Sequence, residues 1–234
     1  MTTLCAIYKT VGKRAYIQVA CLILCYLLLT GAYSEIGPIY DHKMANNVGQ
    51  LENVTLTAHV LVALATVDTL TGVAQTQVET AKTKAAEFLD SRVQFLVDTD
   101  PHQTALVTYA LTLASSNNQN AAFERLINMS TNGEYWSQRP VPRNPQITVQ
   151  TVPYIGPREL YPHEGAAVAA TSYALLVYTE ADRITDAIPI MKWLQTMRNT
   201  IGGFAGTRVS DVHCSSVLVS GQRDVQVKYV VWMC

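Results

Sequence analysis

Thr57-Ala58-His59-Val60-Leu61, Thr108-Tyr109-Ala110-Leu111 and Thr171-Ser172-Tyr173-Ala174-Leu175 share one order of residue types: small and polar, then aromatic or small, then apolar. Each stretch lies in a segment that is apolar on nearly every side. Each is followed by a more charged, amphipathic segment ending in Phe88-Leu89, Leu126-Ile127 or Trp193-Leu194. A helix that is apolar all round must be covered on more than one side, whereas an amphipathic helix needs one apolar neighbour and one face in water. Repeated hairpins that pair one helix of each kind satisfy both demands. An inner ring of helices surrounded by an outer ring, an α/α toroid, is one solution; an irregular helical bundle is permitted by the same pattern.

Working outward, the periodicity predicts a helix from Val54, with Leu56, Val60, Leu64 and Val67 as its stripe and Leu61 and Ala65 widening it. A second is predicted near 75–97, with Val78, Ala81, Ala85, Phe88, Leu89 and Leu96 inside, broken by Asp100-Pro101. A third near 102–114 turns Leu106, Tyr109, Ala110 and Leu113 inward. A short fourth carries Ala122, Phe123, Leu126 and Ile127 and ends at Asn132-Gly133. Residues 134–163 hold six prolines, which exclude a continuous helix; Ile147 to Val152 alternates like a short strand, so this is a long loop or hairpin insertion. Helices return at 165–179, marked by Val168, Ser172, Leu175 and Leu176, and at 187–199, marked by Ile188, Met191, Leu194 and Arg198. Pro189 is expected in the first turn of the last one. The expected class is all-α.

Composition narrows the function. The chain has 234 residues, 49% hydrophobic and 15% charged, with a net charge of −1. Disorder needs low hydrophobicity and high net charge. Nucleic-acid binding leaves a basic excess, and a polytopic membrane protein shows several long apolar spans. None of these is present. The five cysteines, Cys5, Cys21, Cys25, Cys214 and Cys234, leave the stretch from Gly31 to Thr207 without a thiol, so no thiolate zinc site and no cysteine nucleophile lies there.

Residues 1–32 have the marks of a secretory signal: Lys9, Lys13 and Arg14, then the apolar run Ala15–Leu29 broken only by Gln18, then Thr30-Gly31-Ala32 for cleavage. The run is shorter than the roughly 20 residues of a spanning helix, which favours a cleaved signal over a single-pass anchor; a buried core helix and a mispredicted first exon are the other readings. Two acceptor sequons, Asn53-Val54-Thr55 and Asn128-Met129-Ser130, agree with secretion.

Gly31-Ala-Tyr-Ser-Glu-Ile-Gly-Pro-Ile-Tyr-Asp-His-Lys-Met44, Leu56-Thr-Ala-His-Val-Leu-Val-Ala-Leu64, Ala105-Leu-Val-Thr-Tyr-Ala-Leu111, Glu164 with Ala170-Thr-Ser-Tyr-Ala-Leu-Leu176, Lys192-Trp-Leu194, Arg198-Asn199 and Gly202-Gly-Phe204 follow one another in an order and spacing that resembles the thioester domain of the α2-macroglobulin and complement family. Within it, the resemblance points to insect thioester-containing proteins and CD109-like members. The resemblance runs from about Gly31 to Thr207. It implies an α/α toroid of which about three of six hairpins are represented at 33–207, after the signal or anchor at 1–32. The tail at 208–234 departs from the family: Val225, Val227, Tyr229 and Val231 alternate like a strand, as an alternative exon or a shifted reading frame would produce. A ring so interrupted is expected to leave apolar surface uncovered, and so to self-associate, to need a partner or to be degraded.

In that family a Gly-Cys-Gly-Glu-Gln motif supplies a Cys–Gln thioester that acylates hydroxyls or amines on a target surface. The motif does not occur among the 234 residues, so covalent activity is expected to be absent. The family's acyl-transfer histidine falls at Asp41, with His42 beside it; both are expected to be inactive loop residues, and no catalytic residue is assigned. The resemblance implies a secreted, non-enzymatic protein of innate immunity whose relatives inhibit proteases or coat microbial surfaces. No cofactor is expected, no metal because the five histidines are scattered, no nucleic acid, and a membrane contact only if the N-terminal segment is retained. The alternative is an enzyme on a toroid scaffold, a glycoside hydrolase or a terpenoid cyclase. For these, Glu164 lacks a partner carboxylate, and no Asp-rich run is present. His163-Glu164 lacks a second histidine for a zinc helix, and Tyr135, Trp136 and Trp193 are better explained by packing than by a carbohydrate platform.

Overall fold

A computed structural model describes residues 30–34, 53–66, 73–96, 100–141 and 164–198. Among them the fold is all-α: α1 (Val54–Ala65), α2 (Val73–Asp90) with a following 3-10 turn (Val93–Phe95), α3 (Pro101–Leu113), α4 (Gln119–Asn128), α5 (Glu164–Glu180) and α6 (Ile184–Thr196). An isolated antiparallel bridge, Thr131 to Tyr135, closes a tight turn through Asn132 and Gly133, both at positive φ. The strand patterns expected at 147–152 and 225–231, and most of the proline-rich segment, lie outside the described residues.

The helices alternate in character as the repeat requires. In α3 every residue from Gln103 to Leu111 is buried, and in α5 every residue from Ala167 to Thr179 is buried. By contrast α2 buries Val78, Ala81, Ala85, Phe88 and Leu89 and turns Glu79, Thr83, Lys84 and Glu87 to water. Both fully buried helices stop in the same way. Ser116 N–H donates to the Leu111 carbonyl (3.0 Å) and Arg183 N–H to the Tyr178 carbonyl (2.9 Å), over left-handed residues Ser115 and Asp182. This is the reversal usually built with glycine.

Four details differ from the sequence expectation. Asp100-Pro101 opens α3 rather than merely ending α2. The Asp100 carboxylate accepts the Gln103 N–H (3.2 Å), and Pro101 takes a first-turn position where its missing N–H has no cost. Leu56, Val60 and Ala65 are only half-buried, while Val54, Ala58, Leu61 and Val62 are fully buried. With apolar residues on almost every side of α1, periodicity does not choose the face. Ile188, one of the residues that mark this helix in the sequence, is exposed; Ala187, Ile190, Trp193 and Leu194 form the buried face. Pro189 lies inside α6, because the helix begins at Ile184.

The chain divides into two compact units. In the first, residues up to Val97 and Leu106–Arg125, α1 packs on α2. The Thr108 hydroxyl donates to the Ala122 carbonyl (3.3 Å), joining α3 to α4. The Ser116 hydroxyl meets the Asp90 carboxylate at 2.5 Å, and Arg125 Nη1 donates to the Val93 carbonyl (2.6 Å). The second unit, Asp98–Ala105 and residues from Leu126 onward, has α5 packed on α6. Trp136 is its hub: fully buried, its indole N–H donates to the Leu126 carbonyl (2.6 Å) and its backbone N–H to the Thr171 hydroxyl (3.1 Å).

Candidate functional site

Chemistry in such a body has to come from polar groups that the core tolerates, and most of them are consumed by the fold. Thr171 both receives the Trp136 N–H and donates to the Ala167 carbonyl (2.7 Å). Thr179 donates to the Leu175 carbonyl (2.5 Å). These are i−4 back-bonds of a helix with no water beside it. Glu164, the carboxylate a hydrolase reading would use, is fully buried in the first turn of α5. Tyr135 stacks on Trp193 (ring centroids 4.7 Å apart, planes 9° apart) with both rings buried, and Trp136 has no exposed area. The three aromatics are therefore packing elements of the second unit, with no open face for a sugar. His102 meets Tyr173 edge-on at 5.9 Å.

The N-terminal end of the first unit shows a feature that sequence reasoning assigned to a cleavage site. Gly31, Ala32 and Tyr33 are all buried. The Tyr33 N–H donates to the Thr57 hydroxyl on α1 (2.9 Å). Gly31 has φ +85°, and a Cβ there would stand 2.2 Å from the Lys84 carbonyl oxygen of α2. The backbone thus runs against both helices of the pair, and only glycine fits that approach. The Tyr33 hydroxyl is buried without a hydrogen-bond partner, and burial pushes its pKa up to about 12. Small residues before an aromatic serve a signal peptidase and a tight backbone contact alike, which is why the pattern did not separate the two.

Asp41, His42 and all five cysteines lie outside the described residues. Among the described residues no group of His, Cys, Asp and Glu is arranged to hold a metal ion, and no helix is long and apolar enough to cross a membrane. Of the two sequons, Asn53 is the half-buried residue before α1, in left-handed conformation and without a side-chain cap bond. Asn128 is the exposed last residue of α4.

Comparison with known proteins agrees with this architecture. Residues 22–212 match the A-macroglobulin TED domain, a span reaching into the apolar run at one end and into the tail at the other. Complement C3 of Oncorhynchus mykiss is 27% identical over 198 residues, covering 82% of this chain and 10% of that protein. Thioester-containing protein 1 (allele S1) of Anopheles gambiae is 25% identical over 179 residues, 76% of this chain and 11% of that protein. Ophiophagus venom factor of Ophiophagus hannah is 28% identical over 177 residues, 75% of this chain and 9% of that protein. The chain thus spans about a tenth of the length of these curated relatives. With its helix order, its alternation of buried and half-buried helices and a match over most of its length, the chain belongs to the A-macroglobulin TED domain family.

Proposed function

We propose that the chain serves as a non-covalent recognition domain of the macroglobulin–complement type, outside the cell and in innate defence, with proteases or microbial surfaces as its partners. The observation that carries this reading is a conjunction. The family match covers residues 22–212, yet the 234 residues contain no Gly-Cys-Gly-Glu-Gln, and Gly31–Thr207 contains no cysteine. Without a thiol beside a glutamine carboxamide there is no acyl group to transfer, so Asp41 and His42 have no donor to serve. Binding then rests on helix surfaces and loops, and the domain is not an enzyme.

Export is part of the proposal. The basic residues and the apolar run within 1–29 act as the signal or anchor, and the burial of Gly31, Ala32 and Tyr33 supports their retention in the exported chain. The test is attachment to polysaccharide particles. The expected result is binding that boiling in detergent reverses completely. Material that resists detergent and is released by hydroxylamine would show an ester bond and overturn the reading.

A further inference from the structure

We infer that Asn128 carries an N-linked glycan and that Asn53, in the chain's other acceptor sequon of the described residues, does not. The inference rests on the proposed export route, since the oligosaccharide is transferred only in the secretory lumen. Both triplets satisfy the sequence requirement, Asn-X-Thr at 53–55 and Asn-X-Ser at 128–130. The fold separates them.

Asn128 ends the solvent face of α4. Asn120, Glu124 and Asn128 follow one another at four-residue spacing, all exposed, while Ala122 and Leu126 fill the buried side. After Asn128 the chain turns at once: Met129 N–H donates to the Leu126 carbonyl (3.2 Å) and Ser130 N–H to the Ile127 carbonyl (3.1 Å). The backbone groups are thereby satisfied without the Asn128 side chain, whose amide makes no hydrogen bond among the described residues. A glycan on that amide leaves the protein from a helix end into water, displaces no contact and needs no backbone change. A bulky, solubilising group is tolerated in such a place.

Asn53 has the opposite surroundings. It is half-buried; Val54 has no exposed area and Thr55 is 4% exposed. Its own carbonyl accepts the Thr57 N–H (3.0 Å), and the Thr57 hydroxyl in turn holds the Tyr33 N–H. A glycan attached there before folding would have to find room at the mouth of the α1–α2 pair, beside the segment 31–33. With α1 packed on α2, the Thr55 hydroxyl that the transferase must read lies in the core, so the folded hairpin opposes modification of the Asn53 amide.

The experiment uses the full chain translated in the presence of microsomes, once with its own N-terminus and once behind a supplied cleavable signal, with protection from added protease as the measure of entry. In the protected chain, one endoglycosidase-sensitive mobility step is expected. Asn128→Gln should abolish the step, Ser130→Ala should do the same, and Asn53→Gln should leave it unchanged. A step that survives Asn128→Gln, two steps in the parent chain, or no step in a chain that is protected would each overturn the inference. Protection only behind the supplied signal would count against the export route proposed above and leave the comparison of the two asparagines intact.

Discussion

At the scale of single residues, the decisive position is Gly31. Its left-handed backbone costs a residue with a Cβ about 1–2 kcal/mol, and the Lys84 carbonyl stands inside van der Waals contact of that Cβ. Gly31→Ala is expected to destabilise the chain by about 2–4 kcal/mol in denaturant unfolding. If Gly31 were removed on export, the substitution would leave the mature protein's stability unchanged. Tyr33 beside it gives a pH signature. Its hydroxyl pKa is raised from 10.0 to about 12 by burial, so the unfolded chain loses that proton first as pH rises. Stability is then fully present below about pH 10 and declines between pH 10 and 12. Tyr33→Phe should flatten this decline in alkaline unfolding curves. At neutral pH it should be neutral or slightly stabilising, because the hydroxyl it removes is buried and unpartnered.

At the scale of elements, α6 shows how far the sequence reaches. Its Pro189 is expected in a first turn, because the apolar pattern places the helix at about 187–199. In the structure Arg183 and Asp186 pair ahead of that stretch (Nη2 to Oδ2, 2.6 Å), with the carboxylate in the first helical turn, and the helix starts at Ile184. The acidic side chain in the first turn suits the helix dipole, so the helix runs one turn further toward the N-terminus than the apolar pattern indicates. Pro189 therefore leaves the Thr185 carbonyl without its intrahelical donor. Pro189→Ala is expected to raise stability by about 1 kcal/mol or more, read as a higher midpoint in thermal unfolding. The same reasoning explains α1 and α2. The inward positions of α2 follow from a single apolar stripe against charged neighbours. Those of α1 do not, since Leu56 and Val60 are as apolar as the buried Leu61 and Val62 and only packing distinguishes them. The cap at Asp100 is legible in hindsight as an N-cap followed by proline. The stop signals at Ser115 and Asp182 are not, because neither is glycine.

At the scale of the whole molecule, the order and spacing of the residue stretches between Gly31 and Thr207 carry the resemblance, and the family match over residues 22–212 extends past both ends of that segment. Of the candidate site, the sequence shows a run from Gly31 to Thr207 without cysteine, on which the proposal of non-covalent binding rests, while Asp41 and His42 lie outside the described residues. What the residues could not disclose was use of the buried polar groups. Thr57, Thr171 and Thr179 look like ordinary small polar residues until their bonds to Tyr33, Trp136 and Leu175 are seen. The central claim is that a TED-family domain of this sequence binds without acylating. It is tested most directly by incubating the purified chain with excess methylamine at neutral pH and weighing the intact protein by mass spectrometry. The expected result is an unchanged mass with no release of a thiol; a stoichiometric adduct of one methylamine, accompanied by a newly titratable cysteine, would contradict it.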